Sequence, residues 1–419
     1  MEPSGPLLRA FQSRLDQREV KGHRRRLKVA PPNSVDFSSN DFLSLSTSAV
    51  LRSHFLQTLA SESSSHALAS KGSRLLDGNS AYAEKLERFI ASFHHAESGL
   101  LFNSGYDANL SVFSCIPQPG DVILYDELIH ASVHDGMRLS RAAKRIPFKH
   151  NSTDSFFGIA QGLVQNDPLI ASGERSVFVA LESLYSMDGD IAPIAELLEV
   201  VREVFPQGNG YMVVDEAHST GVFGPRGAGV IQELGVENRI FLRLHTFGKA
   251  LASHGAIVLC SSLTREYLIN YARSFIYSTA MSLPSLVSIR AVYDLMSQGV
   301  TETLQSQLYE LVQYMGTRLE KQLPEDPALI RVQHQGRSPI FSLQTAMPRE
   351  LASFLQSEGQ IVRAIMPPTV PKGTERVRAE ICDPNRTGEL TLFLWGNIPI
   401  LTDLALYAIK HLANFSGFI

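Results

Sequence analysis

The chain has 419 residues, 44% of them hydrophobic, 8% aromatic and 19% charged, with a net charge of −4. That length and apolar content suffice for a large core in two or three domains, and the balance of charge provides no basic excess for nucleic acid. No apolar run approaches the roughly 18 residues of a membrane span, and Cys115, Cys260 and Cys382 are too widely spaced for a disulfide or metal framework, so each reads as core packing in a reducing compartment.

In chain order, residues 1–50 form an N-terminal arm. Residues 1–30 mix Arg, Gln and Asp on a helix that lacks the apolar centre of a secretory signal, and Glu2, Asp16 and Glu19 argue against a transit peptide. Within the arm, Arg24-Arg25-Arg26 is a charge run that fits a solvated helix face. Residues 51–285 form a large domain in which helices alternate with apolar runs at 122–125, 177–181, 212–214, 240–242 and 256–259. This alternation predicts an α/β fold with a largely parallel sheet covered on both faces. Asp126, Glu182 and Asp215 then fall at or just past strand ends, where open α/β sheets bind ligands. Gly105 and Tyr106 follow the apolar stretch 99–102 and precede a helix from Asp107, so their N–H groups can face a phosphate. His130 alone reads as a capped loop histidine. Past Pro284 a long helical stretch at 287–322 leads into a smaller C-terminal domain, the two together spanning 286–419.

Two segments carry the chemistry. The run Tyr211-Met212-Val213-Val214 ends in Asp215, with His218 three positions on, and Lys249 closes Thr246-Phe247-Gly248-Lys249. Taken singly, the lysine reads as a solvated surface residue, and Asp215 with His218 as a strand exit or a fragment of a metal site; no second ligand cluster with zinc spacing appears. Together they suggest pyridoxal phosphate. A lysine on a glycine turn can form its Schiff base, and a carboxylate at a buried strand end can keep the pyridine nitrogen protonated.

Those segments, with Ser186-Met187-Asp188-Gly189-Asp190, Tyr277-Ser278-Thr279 and Pro367-Pro368-Thr369-Val370-Pro371, stand in an order that resembles the α-oxoamine synthases, from about Arg24 to Arg378. The resemblance implies a fold-type-I pyridoxal-phosphate transferase: a mostly parallel seven-stranded sheet in a large domain plus a smaller C-terminal α+β domain. It implies catalytic roles for Lys249, His130, Asp215 and His218. Cofactor contacts would come from Gly105, Tyr106, His130 stacked on the pyridine, Ser186 and His218 at its hydroxyl, Thr246 at the phosphate, and Thr279 from a neighbouring subunit of a homodimer. Arg378 would clamp the amino-acid carboxylate, Asn40 would lie near the substrate, and Arg24 near the acyl group.

The implied reaction condenses an α-amino acid with an acyl thioester, releasing carbon dioxide and an α-amino ketone. In the biotin-pathway branch the reactants are L-alanine and pimeloyl-CoA or its carrier-protein thioester. The alternative is a specialised-metabolism synthase that releases a polyketide or fatty-acyl chain from a carrier protein, and a catalytically inactive regulatory subunit is a third reading that Lys249 opposes. Met366 stands where an arginine is expected, Lys71 replaces a loop glycine, and Cys382-Asp383-Pro384-Asn385 departs from the family pattern. The final residues, 415–419, end in no peroxisomal tripeptide, so cytosol is the default expectation and no membrane partner is expected.

Overall fold

The computed structural model describes residues 5–32, 34–322 and 330–382. Asp383, Pro384, Asn385 and the terminal residues 415–419, which figured in the expectations above, lie outside the described residues. The chain forms two compact units, Met1–Val35 and Asp36–Ile419. The first carries the helix Pro6–Val20, whose proline lies in its opening turn, where its missing N–H costs nothing. There Arg24 Nε lies 3.4 Å from Glu19 and Arg26 donates to the same carboxylate at 3.0 Å.

The second unit is built on a seven-stranded sheet: β1 Ser98–Phe102, β2 Val122–Asp126, β3 Lys144–Phe148, β4 Val177–Glu182, β5 Gly210–Asp215, β6 Leu242–Thr246 and β7 Ala256–Cys260. Their order across the sheet is β1-β7-β6-β5-β4-β2-β3. Strand β7 runs antiparallel to both neighbours, and the remaining pairs are parallel. Every residue of β4 is buried, as expected of a parallel strand with helices on both faces. Ile123, Val179, Ala180, Val214 and Val258 are fully buried in the sheet interior.

Three boundaries depart from the sequence reading. Strand β6 begins where the run 240–242 ends, because it continues through Arg243 and His245, two polar residues that each find a hydrogen-bond partner inside the protein. Arg243 donates to the His94 carbonyl at 2.7 Å, and His245 Nδ1 pairs with the Thr220 hydroxyl at 2.8 Å. The helix expected from Asp107 starts two residues earlier, as Gly105–Cys115, since the Ser104 side chain accepts from the Asp107 N–H and caps it. The long stretch at 287–322 is two helices, Leu283–Ser297 and Val300–Gln322, parted at Gly299, whose φ of 76° turns the chain out of the first helix.

Beyond them lies an antiparallel sheet of β8 Arg331–Gln333, β9 Ile340–Gln344, β10 Arg363–Ile365 and β11 Arg376–Glu380, in the order β10-β11-β9-β8, with the helix Pro348–Ser357. Because side chains alternate along a strand, Arg376, Arg378 and Glu380 share one face of β11. Among the described residues, no helix is long and apolar enough to cross a membrane.

Candidate active site

Asp215 ends β5 and Lys249 follows β6, so adjacent parallel strands deliver the two residues to the same edge of the sheet. Asp215 is buried, and both its oxygens are occupied: Oδ1 accepts from the Ala217 N–H at 2.9 Å and Oδ2 from the Asn109 amide at 2.7 Å. Asn109 donates also to the Ser132 hydroxyl at 3.0 Å, and that hydroxyl lies 2.7 Å from Nδ1 of His130. A chain of polar contacts therefore runs from Asp215 to His130. His130 is exposed and caps the helix Ala131–Leu139 through the Ser132 N–H, so the capping expected from the sequence is present.

The charges at this edge are strongly biased. Desolvation lowers the Lys249 ammonium below its ordinary range, against the pull of Asp215 and Glu182. Burial, with Asp215 beside it, pushes the Glu182 carboxyl well up, so it holds its proton. Burial and the cations Lys249 and Arg378 push the His218 imidazole well down and keep it neutral. Desolvation also lowers His130, with Asp215 opposing.

Around these groups the remaining expected residues fall into place to differing degrees. No described hydrogen bond occupies the N–H groups of Gly105 and Tyr106 at the start of their helix. The side chain of Thr246 adjoins them, since a Cβ on Gly105 would lie 3.4 Å from its hydroxyl. Ser186 is half-buried and its carbonyl accepts from Arg378 at 3.1 Å. Asn40 lies in the second unit with a buried Oδ1 that has no partner among the described residues. Thr279 is exposed, and its carbonyl accepts from Asn103 at 3.0 Å. Arg24 belongs to the first unit and is ion-paired there. The carboxylate of Asp126 is committed elsewhere: it accepts from the N–H groups of Leu128 and Asn151 and from His150, whose other nitrogen is 2.5 Å from Asp190. Burial lowers His150, but the bonds to Asp126 and Asp190 outweigh it and raise it to about 10.

Several contributors were not read from the sequence. Asn109 lies four residues beyond Gly105, one helical turn along the same face, and that spacing was the available signal. Arg376 is buried and donates to Asp188 and to the Met187 carbonyl, so it and Arg378 fasten three consecutive loop residues to β11. Glu380 is buried beside Arg378, at 3.2 Å, and its second oxygen has no partner among the described residues. No local pattern announces it.

The residues fit pyridoxal phosphate. His218 Nδ1 is buried without a partner among the described residues, which native proteins rarely tolerate unless a ligand completes the bond. The unoccupied N–H groups at Gly105 and Tyr106 suit a phosphate, and the adjoining Thr246 hydroxyl can add to them. A lysine biased toward its neutral form is the amine that an aldehyde captures.

The model of the aminotransferase class I and II family matches residues 32–390. Over 369 residues the chain is 61% identical to the 8-amino-7-oxononanoate synthase of Emericella nidulans, covering 88% of this chain and 90% of that protein. It is 46% identical over 282 residues to the aminoacyl transferase sphA of Aspergillus fumigatus, covering 67% of this chain and 60% of that one. The solved serine palmitoyltransferase of Sphingomonas wittichii superposes with a TM-score of 0.80 at 22% identity, covering 97% of this chain and 99% of that one, a likeness of fold. The chain belongs to the aminotransferase class I and II family and, within it, to the α-oxoamine synthases, acyltransferases that depend on pyridoxal phosphate.

Proposed function

We propose that this enzyme condenses L-alanine with pimeloyl-CoA, or the corresponding carrier-protein thioester, to give 8-amino-7-oxononanoate, carbon dioxide and the free thiol. The observation that carries the reading is the 61% identity to a relative of that name, spread over 88% of the chain. Placement of Lys249 beside Asp215, with Arg378 near enough to influence Lys249, supports the amino-acid side of it.

Bound here, pyridoxal phosphate supplies an electron sink for the negative charge that develops at the amino acid's α-carbon. Lys249 would hold the cofactor at rest and, once displaced by the substrate amine, remove the α-proton; desolvation favours the neutral amine that this step needs. Asp215 would keep a proton on the pyridine nitrogen, and the two hydrogen bonds it accepts hold its carboxylate in place for that purpose. His218 and Ser186 would meet the ring hydroxyl. His130, held by Ser132, would cover the ring, and Arg378 would grip the substrate carboxylate with the donors that Ser186 and Glu380 leave free. The thioester carbonyl accepts the new carbon–carbon bond, the thiol departs, and the amino acid's carboxylate leaves as carbon dioxide.

A second reading, an acyltransferase of specialised metabolism, is favoured by the 46% identity to sphA and by Met366, which offers no charge at the expected arginine position. Mass spectrometry of products from each amino acid paired with a panel of acyl thioesters separates the two. A mass matching 8-amino-7-oxononanoate only from alanine and the pimeloyl donor is expected, and preference for long unfunctionalised chains would favour the second reading instead.

A further inference from the structure

Strands β10 and β11 set Arg363 directly opposite Arg378. Side chains so paired share a face with Cβ atoms about 4.5–5.5 Å apart, and like charges there repel. For Arg378 the repulsion is offset, because Glu380 lies at 3.2 Å and the Ser186 carbonyl at 3.1 Å. Arg363 has no such offset. It is half-buried on the edge strand of the sheet, and neither an ion pair nor a hydrogen bond reaches its side chain among the described residues.

A half-buried guanidinium left unpaired beside a second one is a place for an anion. We propose that Arg363 is a specificity-determining residue that anchors the distal carboxylate of a dicarboxylic acyl thioester. The inference rests on the condensation reading above and adds to it the side chain that selects the donor. Two anions belong to that reaction, and Arg378 serves the amino acid's. The same face offers a second cation about one strand spacing, roughly 4.8 Å, farther toward the sheet edge. Met366, one residue past the end of β10, has no charge to contribute, whereas Arg363 at the start of that strand does. A planar guanidinium grips a carboxylate through two parallel hydrogen bonds, which gives both affinity and orientation.

The test compares heptanedioyl and heptanoyl thioesters of one thiol carrier, equal in length and differing only in the distal carboxylate. Arg363→Gln is expected to raise KM for the heptanedioyl donor by about 10- to 100-fold, while KM for the heptanoyl donor and for alanine stays unchanged. Arg363→Lys is expected to restore part of the loss. Calorimetric titration of the holoenzyme with free heptanedioate is expected to show binding that Arg363→Gln removes, with melting temperature and visible spectrum confirming that the variant is folded and loaded. An equal rise for both donors would assign Arg363 to the carrier's phosphates and overturn the proposal. A rise confined to alanine would overturn it too, by assigning Arg363 to the amino acid. If the wild type condenses neither donor, the condensation reading fails, and the heptanedioate titration still decides the role of Arg363.

Discussion

At the scale of single residues the site is a set of buried charges in unequal states, and each state gives a measurable consequence. Lys249→Ala is expected to abolish borohydride trapping of the cofactor and the yellow absorbance of the bound aldehyde; a variant that still traps would place the attachment on another lysine. Asp215→Asn keeps the shape of the pocket but removes its negative charge, so exchange of the alanine α-proton with solvent is expected to fall roughly 100-fold or more. Proton NMR of that exchange checks it, and a near-normal rate would remove Asp215 from its role. Glu380 titrates at about 7: burial raises it, Arg378 and Lys249 pull it down, and Asp36 raises it further. Below that pH its carboxyl is neutral and does not compete, whereas above it the carboxylate competes with substrate for the Arg378 guanidinium. KM for alanine is therefore expected to rise as the pH climbs through 7, and Glu380→Gln to be flat across that range. The sign for stability follows from a folded value above the ordinary 4.5: the contribution is fully present below about 4.5 and is lost as the pH rises through about 7. The paired Asp215 and Lys249 could be read from the sequence because each sits on its own recognisable turn. Asn109 could not, since its partner Asp215 lies 106 residues away, and Glu380 could not, since its burial is set by the fold around β11 rather than by its neighbours in sequence.

Among elements, the parallel strands were legible wherever the apolar run was unbroken, as in β4 and β5. Strand β6 was displaced in the reading because Arg243 and His245 look like a loop until the groups that satisfy them, His94 and Thr220, are brought up by the fold. The edge strand β3 opens with exposed Lys144 and Arg145, which hides it from a search for hydrophobic runs. Lys71 shows the reverse: a departure visible in sequence proves to have a backbone cost, since its φ of 70° lies in the left-handed region that suits glycine. At the junction of β11 with the loop 186–188, Arg376→Ala leaves the buried Asp188 carboxylate without its cation. Loss of about 3–5 kcal/mol of stability in urea unfolding is expected, and Arg376→Lys should recover only part, because a single ammonium cannot reproduce the fork that reaches Asp188 and the Met187 carbonyl through one nitrogen and the Thr374 carbonyl through another.

For the molecule as a whole, a largely parallel sheet with helices on both faces follows from alternation and its seven strands from the family resemblance, whereas assembly is not legible, because an interface has no period in the sequence. Thr279 lies exposed beside Asn103, close in sequence to Gly105 and Tyr106. If a homodimer shares its sites, mixing Lys249→Ala chains with chains disrupted at Thr279 should restore up to about a quarter of wild-type activity, since random pairing puts half the chains' dimers in mixed form with one intact site in two. No rescue in verified mixed dimers would confine each site to one chain. A last consequence lies in the grip of β11 on the loop at Ser186, Met187 and Asp188. Attachment through two arginines passes rotation as well as displacement, so if Arg378 takes the amino acid and Ser186 meets the cofactor, strand and loop would act as a lever between the two. By thermodynamic reciprocity, each ligand would then change the other's affinity by the same factor, and a positive coupling is the expectation. Dialysis with and without alanine is expected to show slower loss of cofactor in its presence, and an enzyme so built would shed its cofactor as its amino acid runs out.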